Sequence, residues 1–388
     1  MRVLMISTPV PTHFTPLVPL AWALRAAGHE VLVVGQPDIQ GAVASAGLNA
    51  ASVGTAFHVQ DLLMGGLRPG ERPLETRTRV ELEKMGGPGR VWTTHARYMW
   101  ESYLDAAREF GPDLVVSDPL EFNALIVGAV LDVPVVQHRW GVDPYSGGAL
   151  GEAEVILRAL CERLGLDAMP RPTVLLDPCP PGLQLPDVPR GTPIRHIAFN
   201  GNGQLPAWLR ALRPTEGAVR RVVVSLGSRT IDLNALPFTR RLLQAIGERP
   251  DTEVVATVEE RHRLALAGLP DSVRLVDPVP LNLLLGVCDA VVHHGGAGTS
   301  MTATSFGLPQ LVLPQLADQF AHGDRLADAG AAITLDSAGE QNDPAALRAA
   351  IDELLTAPGY AKAAAELARD MAAMPSPAQV VADLEHLI

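Results

Sequence analysis

The chain has 388 residues, 47% of them hydrophobic and only 4% aromatic, and a formal net charge of -12. That length exceeds one ordinary core and points to two domains. An acidic chain with a sequence pI near 5.4 and no basic patch is not built to hold a nucleic-acid backbone. No stretch approaches the ~18 apolar residues of a membrane span. No secretory leader is read ahead of the first strand. The cysteines Cys161, Cys179 and Cys288 are too scattered for a zinc site, so a reduced, cytoplasmic setting is expected.

In chain order, Val3 to Ser7 reads as a strand and Thr8 to Pro16 as a loop stiffened by Pro9, Pro11 and Pro16. Leu17 to Ala27 reads as a helix closed by Gly28, and Glu30 to Gly35 as a second strand. A βαβ start of this kind predicts a doubly wound parallel sheet, whose ligands collect beyond the carboxyl ends of the strands. His13, in the first such loop, is the first polar candidate. From Ala56 to Glu101 glycine and proline break the pattern. The apolar residues there form either a packed helix pair or the pliable wall of a pocket for a large, flat molecule. Phe57, Met64 and Trp92, with Trp140 further on, are the candidate acceptor contacts. The strand Asp113 to Ser117 ends in Asp118, at the same sheet edge as His13, where the carboxylate is expected to orient the imidazole. Another strand, Val133 to His138, is followed by a helix from Glu152 to about Leu164 and a proline-rich wrap.

Asn200 to Gly217 carries the Gly, Asn and Pro punctuation of a linker. A second apolar strand, Arg221 to Leu226, then opens a new strand–helix alternation and ends in Gly227-Ser228. A helix from Leu236 to Gly247, strands Glu253 to Ala256 and Val273 to Val276, a turn at Asp277 to Pro280 and a helix Leu281 to Cys288 follow. The fold class is therefore α/β, with two facing Rossmann-like lobes and the active site in the cleft between them. The expected boundaries are 1–199 for the first domain, 200–216 for the linker and 217–374 for the second domain, with a final helix in 375–388 that packs back on the first domain.

The most informative stretch is Val291 to Thr299, V-V-H-H-G-G-A-G-T, where a strand gives way to a helix. Gly295, Gly296 and Gly298 allow close backbone approach to an anion, and the amides of the opening helix point at it. It is neither a P-loop, lacking Gly-Lys-Ser/Thr, nor the Gly-x-Gly-x-x-Gly dinucleotide pattern. An imidazole among these amides can donate to phosphate oxygens. Gly227 and Ser228 can add an amide and a hydroxyl. Asp318 and Gln319, after the strand Leu311 to Leu313, emerge at the same edge and suit sugar hydroxyls. Taken together, a phosphate site beside a carboxylate and an amide suggests an activated sugar. His13 with Asp118 then supplies a general base for a hydroxyl, a phenol or an activated aromatic carbon.

These residues resemble a known family. The Pro9 to Leu17 start, Pro278-Val279-Pro280-Leu281, the Cys288 to Thr299 run and Asp318-Gln319 together look like the GT-B glycosyltransferases, and in particular the actinobacterial enzymes that glycosylate macrolides, enediynes and aromatic polyketides. The resemblance implies inverting transfer from a nucleoside diphosphate sugar, commonly a dTDP-deoxysugar, to a hydrophobic small-molecule acceptor, with no cofactor and no metal. It implies His13 as base and Asp118 as its partner. Ser228, His293, Gly295, Gly296, Gly298 and Thr299 would cradle the diphosphate, His294 being left to packing. Val279 would offer its backbone to the nucleobase, and Asp318 and Gln319 would hold the sugar. Pro278 stands where many relatives stack a tryptophan on the base. A homodimer is left open.

Two other classes compete. A non-catalytic nucleotide-sugar binder assisting a partner enzyme would keep the phosphate cradle but need neither His13 nor Asp118. A nicotinamide dehydrogenase would need a glycine fingerprint after Ser7 and an acidic residue ending the second strand. The sequence offers Pro9 to Thr15 and Gly35-Gln36 at those places.

Overall fold

The computed structural model describes residues 1–59, 61, 71–85, 88–215, 217–231 and 235–388. The first half builds a seven-stranded sheet from β1 (Arg2–Ile6), β2 (Glu30–Gly35), β3 (Asn49–Ser52), β4 (Leu114–Ser117), β5 (Val135–His138), β6 (Val174–Asp177) and β7 (Thr192–Pro193), in the order β3-β2-β1-β4-β5-β6-β7. The second half builds a six-stranded sheet from β8 (Arg220–Ser225), β9 (Thr252–Thr257), β10 (Val273–Val276), β11 (Ala290–His293), β12 (Gln310–Val312) and β13 (Ala332–Thr334), in the order β10-β9-β8-β11-β12-β13. Every strand pair is parallel.

Each sheet reverses its strand order once, between β1 and β4 and between β8 and β11, and such switch points open a crevice at the carboxyl edge. The register fixes what meets there. Ile6 pairs with Ser117, so the residues leaving β1 lie beside Asp118. His293 pairs with Ser225 on one side and Val312 on the other, which sets the loops after β8, β11 and β12 side by side.

Why these segments adopt these forms follows from local chemistry. Val3, Leu4, Met5 and Ile6 are all buried, as parallel strands covered on both faces require. Helix α1 (Val18–Ala26) turns Val18, Leu20, Ala21 and Leu24 inward and stops where Gly28 takes φ +89°, a left-handed cap that favours glycine. The expected loop from Thr8 to Pro16 instead contains a helical turn, Pro11–Phe14, because Pro11 supplies the φ that a first helical position needs. The segment from Ala56 to Glu101, expected to form a packed helix pair or a pocket wall, leads into the 23-residue helix α2 (Pro88–Phe110). The helix expected from Glu152 to Leu164 is two, Ser146–Ile156 and Arg158–Arg163. The other helices used below are α3 (Phe122–Leu131), α4 (Leu236–Gly247), α5 (Ala297–Ser305), α6 (Gln319–Asp328) and α7 (Pro377–Leu384).

Three of the contacts that join the halves are the following. Val380, Val381 and Leu384 of α7 lie in the same core as β1 and α1. Val142, Cys179 and Leu183 pack with Met301, Val312 and Leu326. Arg72, with its side chain buried, donates to Gln315, Gln341 and Asn342 at 3.2, 2.8 and 2.9 Å and lies 4.1 Å from the ring of Phe238 in α4. Among the described residues no helix is long and apolar enough to cross a membrane.

Candidate active site

His13 sits in the Pro11–Phe14 turn, partly exposed. The expected direct pairing with Asp118 is corrected by the structure, because the hydroxyl of Thr8 stands between them. Thr8 Oγ1 is 2.7 Å from His13 Nδ1 and 3.0 Å from Asp118 Oδ2. The β1–β4 register brings Thr8 and Asp118 close enough for the threonine to occupy the gap. A hydroxyl has one proton, and an ionised carboxylate can only accept. Thr8 therefore donates to Asp118 and accepts from the Nδ1–H of His13. That fixes the tautomer and leaves the lone pair of His13 on Nε2.

Asp118 is fully buried, and burial pushes its pKa up to about 6. The hydrogen bonds oppose this shift. The Thr8 amide (2.7 Å), Thr8 Oγ1 and Ser7 Oγ (3.3 Å) all reach Oδ2, and the Leu120 amide reaches Oδ1 at 3.0 Å. Near neutral pH the carboxylate is accordingly charged. Glu121, one turn on and also fully buried, is pushed up to about 8 by burial and then by the charge of Asp118. Its Oε1 accepts from the Asn123 side chain at 2.7 Å. His95 of α2, beside it, is held neutral by burial, at about 4.

Trp140 and Trp92 flank His13, with ring centroids at 4.0 and 6.0 Å, and Phe57 stacks on Trp92 at 5.8 Å. The tryptophans expose only 6% and 5% of their surface, so they back the imidazole instead of offering a broad open wall. Trp140 is held by its neighbour. Arg139, buried, donates to Asp143 at 2.9 Å, to Asp177 at 2.7 Å and to the Pro189 carbonyl at 2.8 Å. Met64 lies outside the described residues.

At the carboxyl edge of the second sheet the two histidines lie in different surroundings. His293 is fully buried as the last residue of β11. Its Nδ1 accepts from the Gly295 amide at 3.0 Å, so its Nε2 carries the proton and donates to Gln310 Oε1 at 2.9 Å. Burial lowers its pKa to about 3. A neutral ring with both nitrogens engaged cannot donate to phosphate, and the expected role of His293 is withdrawn. His294, the first residue beyond the strand, is partly exposed. Its ring fills the space between two glycines: a methyl group on Gly227 would lie 2.9 Å from Cε1, and one on Gly296 2.5 Å from Nε2. The strand ends between them: His293 is its last, fully buried residue, and His294 already belongs to the glycine loop.

Gly295 has φ +87°, and a methyl there would sit 2.7 Å from the Gln319 carbonyl oxygen. Gly296 is the N-cap of α5, so Ala297, Gly298 and Thr299 form its first turn, whose amides lack intrahelical partners and carry the positive end of the helix dipole. Nothing within 4 Å would meet a side chain at Gly298, which leaves room for a ligand against these amides. Ser228 continues the turn begun at Gly227, and its side chain lies outside the described residues. Val279 lies in the loop after β10, at the same edge. Asp318 is partly exposed at the start of α6, its side chain caps no helical amide, and burial by its surroundings raises its pKa to about 6. Gln319 turns its side-chain oxygen back onto the amides of Gln315 (2.8 Å) and Leu316 (3.2 Å), leaving its amide nitrogen to address a ligand. Among the described residues no group of three or more His, Cys, Asp or Glu side chains could hold a metal ion.

Known proteins resemble this chain over almost its whole length. Residues 22–227 match the N-terminal domain, and 240–387 the C-terminal domain, of the family described as erythromycin biosynthesis protein CIII-like. The chain is 36% identical to the L-demethylnoviosyl transferase of Streptomyces niveus, over 99% of this chain and 97% of that one. It is 33% identical to the TDP-daunosamine transferase DnrS of Streptomyces peucetius, over 100% and 97% respectively. The spinosyn rhamnosyltransferase SpnG, solved with thymidine diphosphate and separately with spinosyn aglycone, superposes with a TM-score of 0.87 at 37% identity, covering 99% of this chain and 100% of that one. The chain therefore belongs to the erythromycin biosynthesis protein CIII-like family of glycosyltransferases, enzymes of natural-product biosynthesis with the GT-B fold.

Proposed function

We propose that this enzyme transfers a deoxysugar from a thymidine diphosphate sugar to a hydrophobic, polyketide-type acceptor, with inversion at the anomeric carbon. The observation that carries the reading is the relay from Asp118 through Thr8 to His13, which leaves a basic Nε2 at the first sheet's edge. His13 takes the proton of the acceptor hydroxyl as the oxygen attacks the anomeric carbon. The bond from that carbon to the diphosphate oxygen breaks, and the nucleoside diphosphate departs as an anion. Charge developing on the phosphate is met by the first-turn amides of α5 and by His294, donors already in place before the reaction. No metal ion is required for this step.

On this reading residues 1–199 serve the acceptor and 217–374 the donor. Asp318 and the amide of Gln319 receive sugar hydroxyls, and Val279 meets the nucleobase. Phe57, partly exposed, lies beside the acceptor, and Trp92 and Trp140 back the imidazole that takes its proton. Thymidine diphosphate bound to SpnG and the TDP-sugar in the name of DnrS support the donor, and the spinosyn aglycone bound to SpnG supports the acceptor class.

The test is incubation with a dTDP-deoxysugar and a panel of macrolide and anthracycline aglycones. Sugar addition would be read by mass spectrometry and the anomeric configuration of the product by NMR. Inverted product is expected. Tight dTDP-sugar binding with no product across the panel would oppose the reading.

A further inference from the structure

His322 lies on α6 one turn beyond Asp318, is fully buried, and has no hydrogen-bond partner on either ring nitrogen. Orphaned buried polar groups are rare in native proteins. Its Nε2 stands 3.9 Å from Asp318 Oδ2, about 1 Å beyond a hydrogen bond. Burial first, and then nearby His294, keep the ring neutral, so it has one N–H to give. The ring also meets the other half of the molecule. A methyl on Gly141, in the loop after β5, would lie 2.6 Å from His322 Cε1 and 3.2 Å from Nε2. Gly141 thus leaves the space that the imidazole occupies.

We infer that His322 is a positioning residue for the donor sugar: it donates from Nε2 to the Asp318 carboxylate when the sugar is bound, aiming that carboxylate at a sugar hydroxyl, and Gly141 from the opposite lobe holds the ring in place. A carboxylate that must accept from a sugar hydroxyl is most effective when ionised and held in one rotamer, and the N–H of His322 serves both needs. The same contact ties donor grip to the seam between the lobes. This inference rests on the reading that Asp318 holds the sugar.

The experiment is calorimetric titration of dTDP-glucose and of dTDP, without acceptor, into wild type, Asp318→Asn, His322→Leu, His322→Gln and Gly141→Ala. The quantity read is the ratio of the two dissociation constants, since dTDP lacks the sugar and a merely structural defect weakens both alike. His322→Leu is expected to raise the ratio about tenfold, the scale of a lost hydrogen bond to a charged group. Asp318→Asn is expected to do the same, whereas His322→Gln, which restores an N–H, stays within about twofold. Gly141→Ala is expected to raise the ratio in the wild-type background and to have no effect on it in His322→Leu, as a contact acting through the ring must. If Asp318→Asn shifts the ratio while His322→Leu leaves it unchanged, the inference fails and the Asp318 reading stands. If Asp318→Asn leaves it unchanged, that reading fails and the inference with it. A Gly141→Ala effect that persists in His322→Leu also overturns the inference.

Discussion

His13 and Asp118 do not touch; the hydroxyl of Thr8 lies 2.7 Å from the imidazole Nδ1 and 3.0 Å from the carboxylate Oδ2. Replacing that hydroxyl by a methyl group separates geometry from proton bookkeeping. Thr8→Val keeps the side-chain shape and the Thr8 amide bond to Asp118 but removes the acceptor for Nδ1–H. Its kcat is expected to fall at least about tenfold, part of the roughly 10² to 10⁴ that general-base catalysis contributes, with donor affinity unchanged. Thr8→Ser should stay within about threefold. Equal rates for Thr8→Val and wild type would remove the relay from the mechanism.

The charge on Asp118 sets an acid limb. Burial raises this group to about 6, so it is ionised above that pH and steadies the imidazolium that forms as His13 takes a proton. As pH falls through about 6 it is neutralised, and transfer should decline. A kcat–pH profile with both substrates saturating checks this. Asp118→Asn is expected to be slower already at pH 8 and to lose the part of the acid limb that belongs to this carboxyl. A profile identical to that of wild type would contradict it.

Glu121 makes stability depend on pH in the opposite sense to a paired surface carboxylate. Its folded pKa, about 8, lies above its ordinary value of 4.5. The folded state therefore holds the proton more tightly, and stability is lost as pH rises between these values, at up to about 1.4 kcal/mol per pH unit. Glu121→Gln keeps an oxygen for Asn123 and abolishes the titration. Urea unfolding of the two proteins at pH 5, 6.5 and 8 should show the variant gaining on wild type as pH rises. Parallel curves would exclude the shift.

The two histidines of the glycine loop should separate by phenotype. His293→Leu strands the Gly295 amide and the Gln310 side chain, each a loss of roughly 1–3 kcal/mol, while the folded fraction binds dTDP within about threefold of wild type. His294→Ala should leave the melting temperature nearly unchanged and weaken dTDP about tenfold. The reverse pattern in thermal unfolding and calorimetry would restore His293 to the phosphate.

Much of this was legible in the sequence, for identifiable reasons. The strands at β1, β2 and β8 carry continuous apolar runs because parallel strands are covered on both faces, so the α/β class and its two lobes could be read directly. β3 and β7 could not, being short, largely exposed edge strands of Asn-Ala-Ala-Ser and Thr-Pro. Helix α2 was obscured by the glycines before it and by aromatic residues that also suit a pocket. Thr8 was missed because a hydroxyl beside a proline-rich loop reads as turn chemistry. Its place between His13 and Asp118 depends on the pairing of Ile6 with Ser117, a register no local pattern encodes. The order of His293 and His294 failed for a related reason: glycine spacing locates the loop, whereas the end of β11 decides which ring faces the ligand.

The central claim is that His13 acts as the base and nothing else. Single-turnover transfer from a saturating dTDP-deoxysugar to an accepted aglycone, compared between wild type and His13→Ala with dTDP affinity measured in parallel, tests it most directly. The account predicts a loss of about 10² to 10⁴ in the transfer rate, with dTDP affinity within about twofold. A transfer rate within about threefold of wild type, or a loss matched by equally weakened dTDP binding, would contradict it.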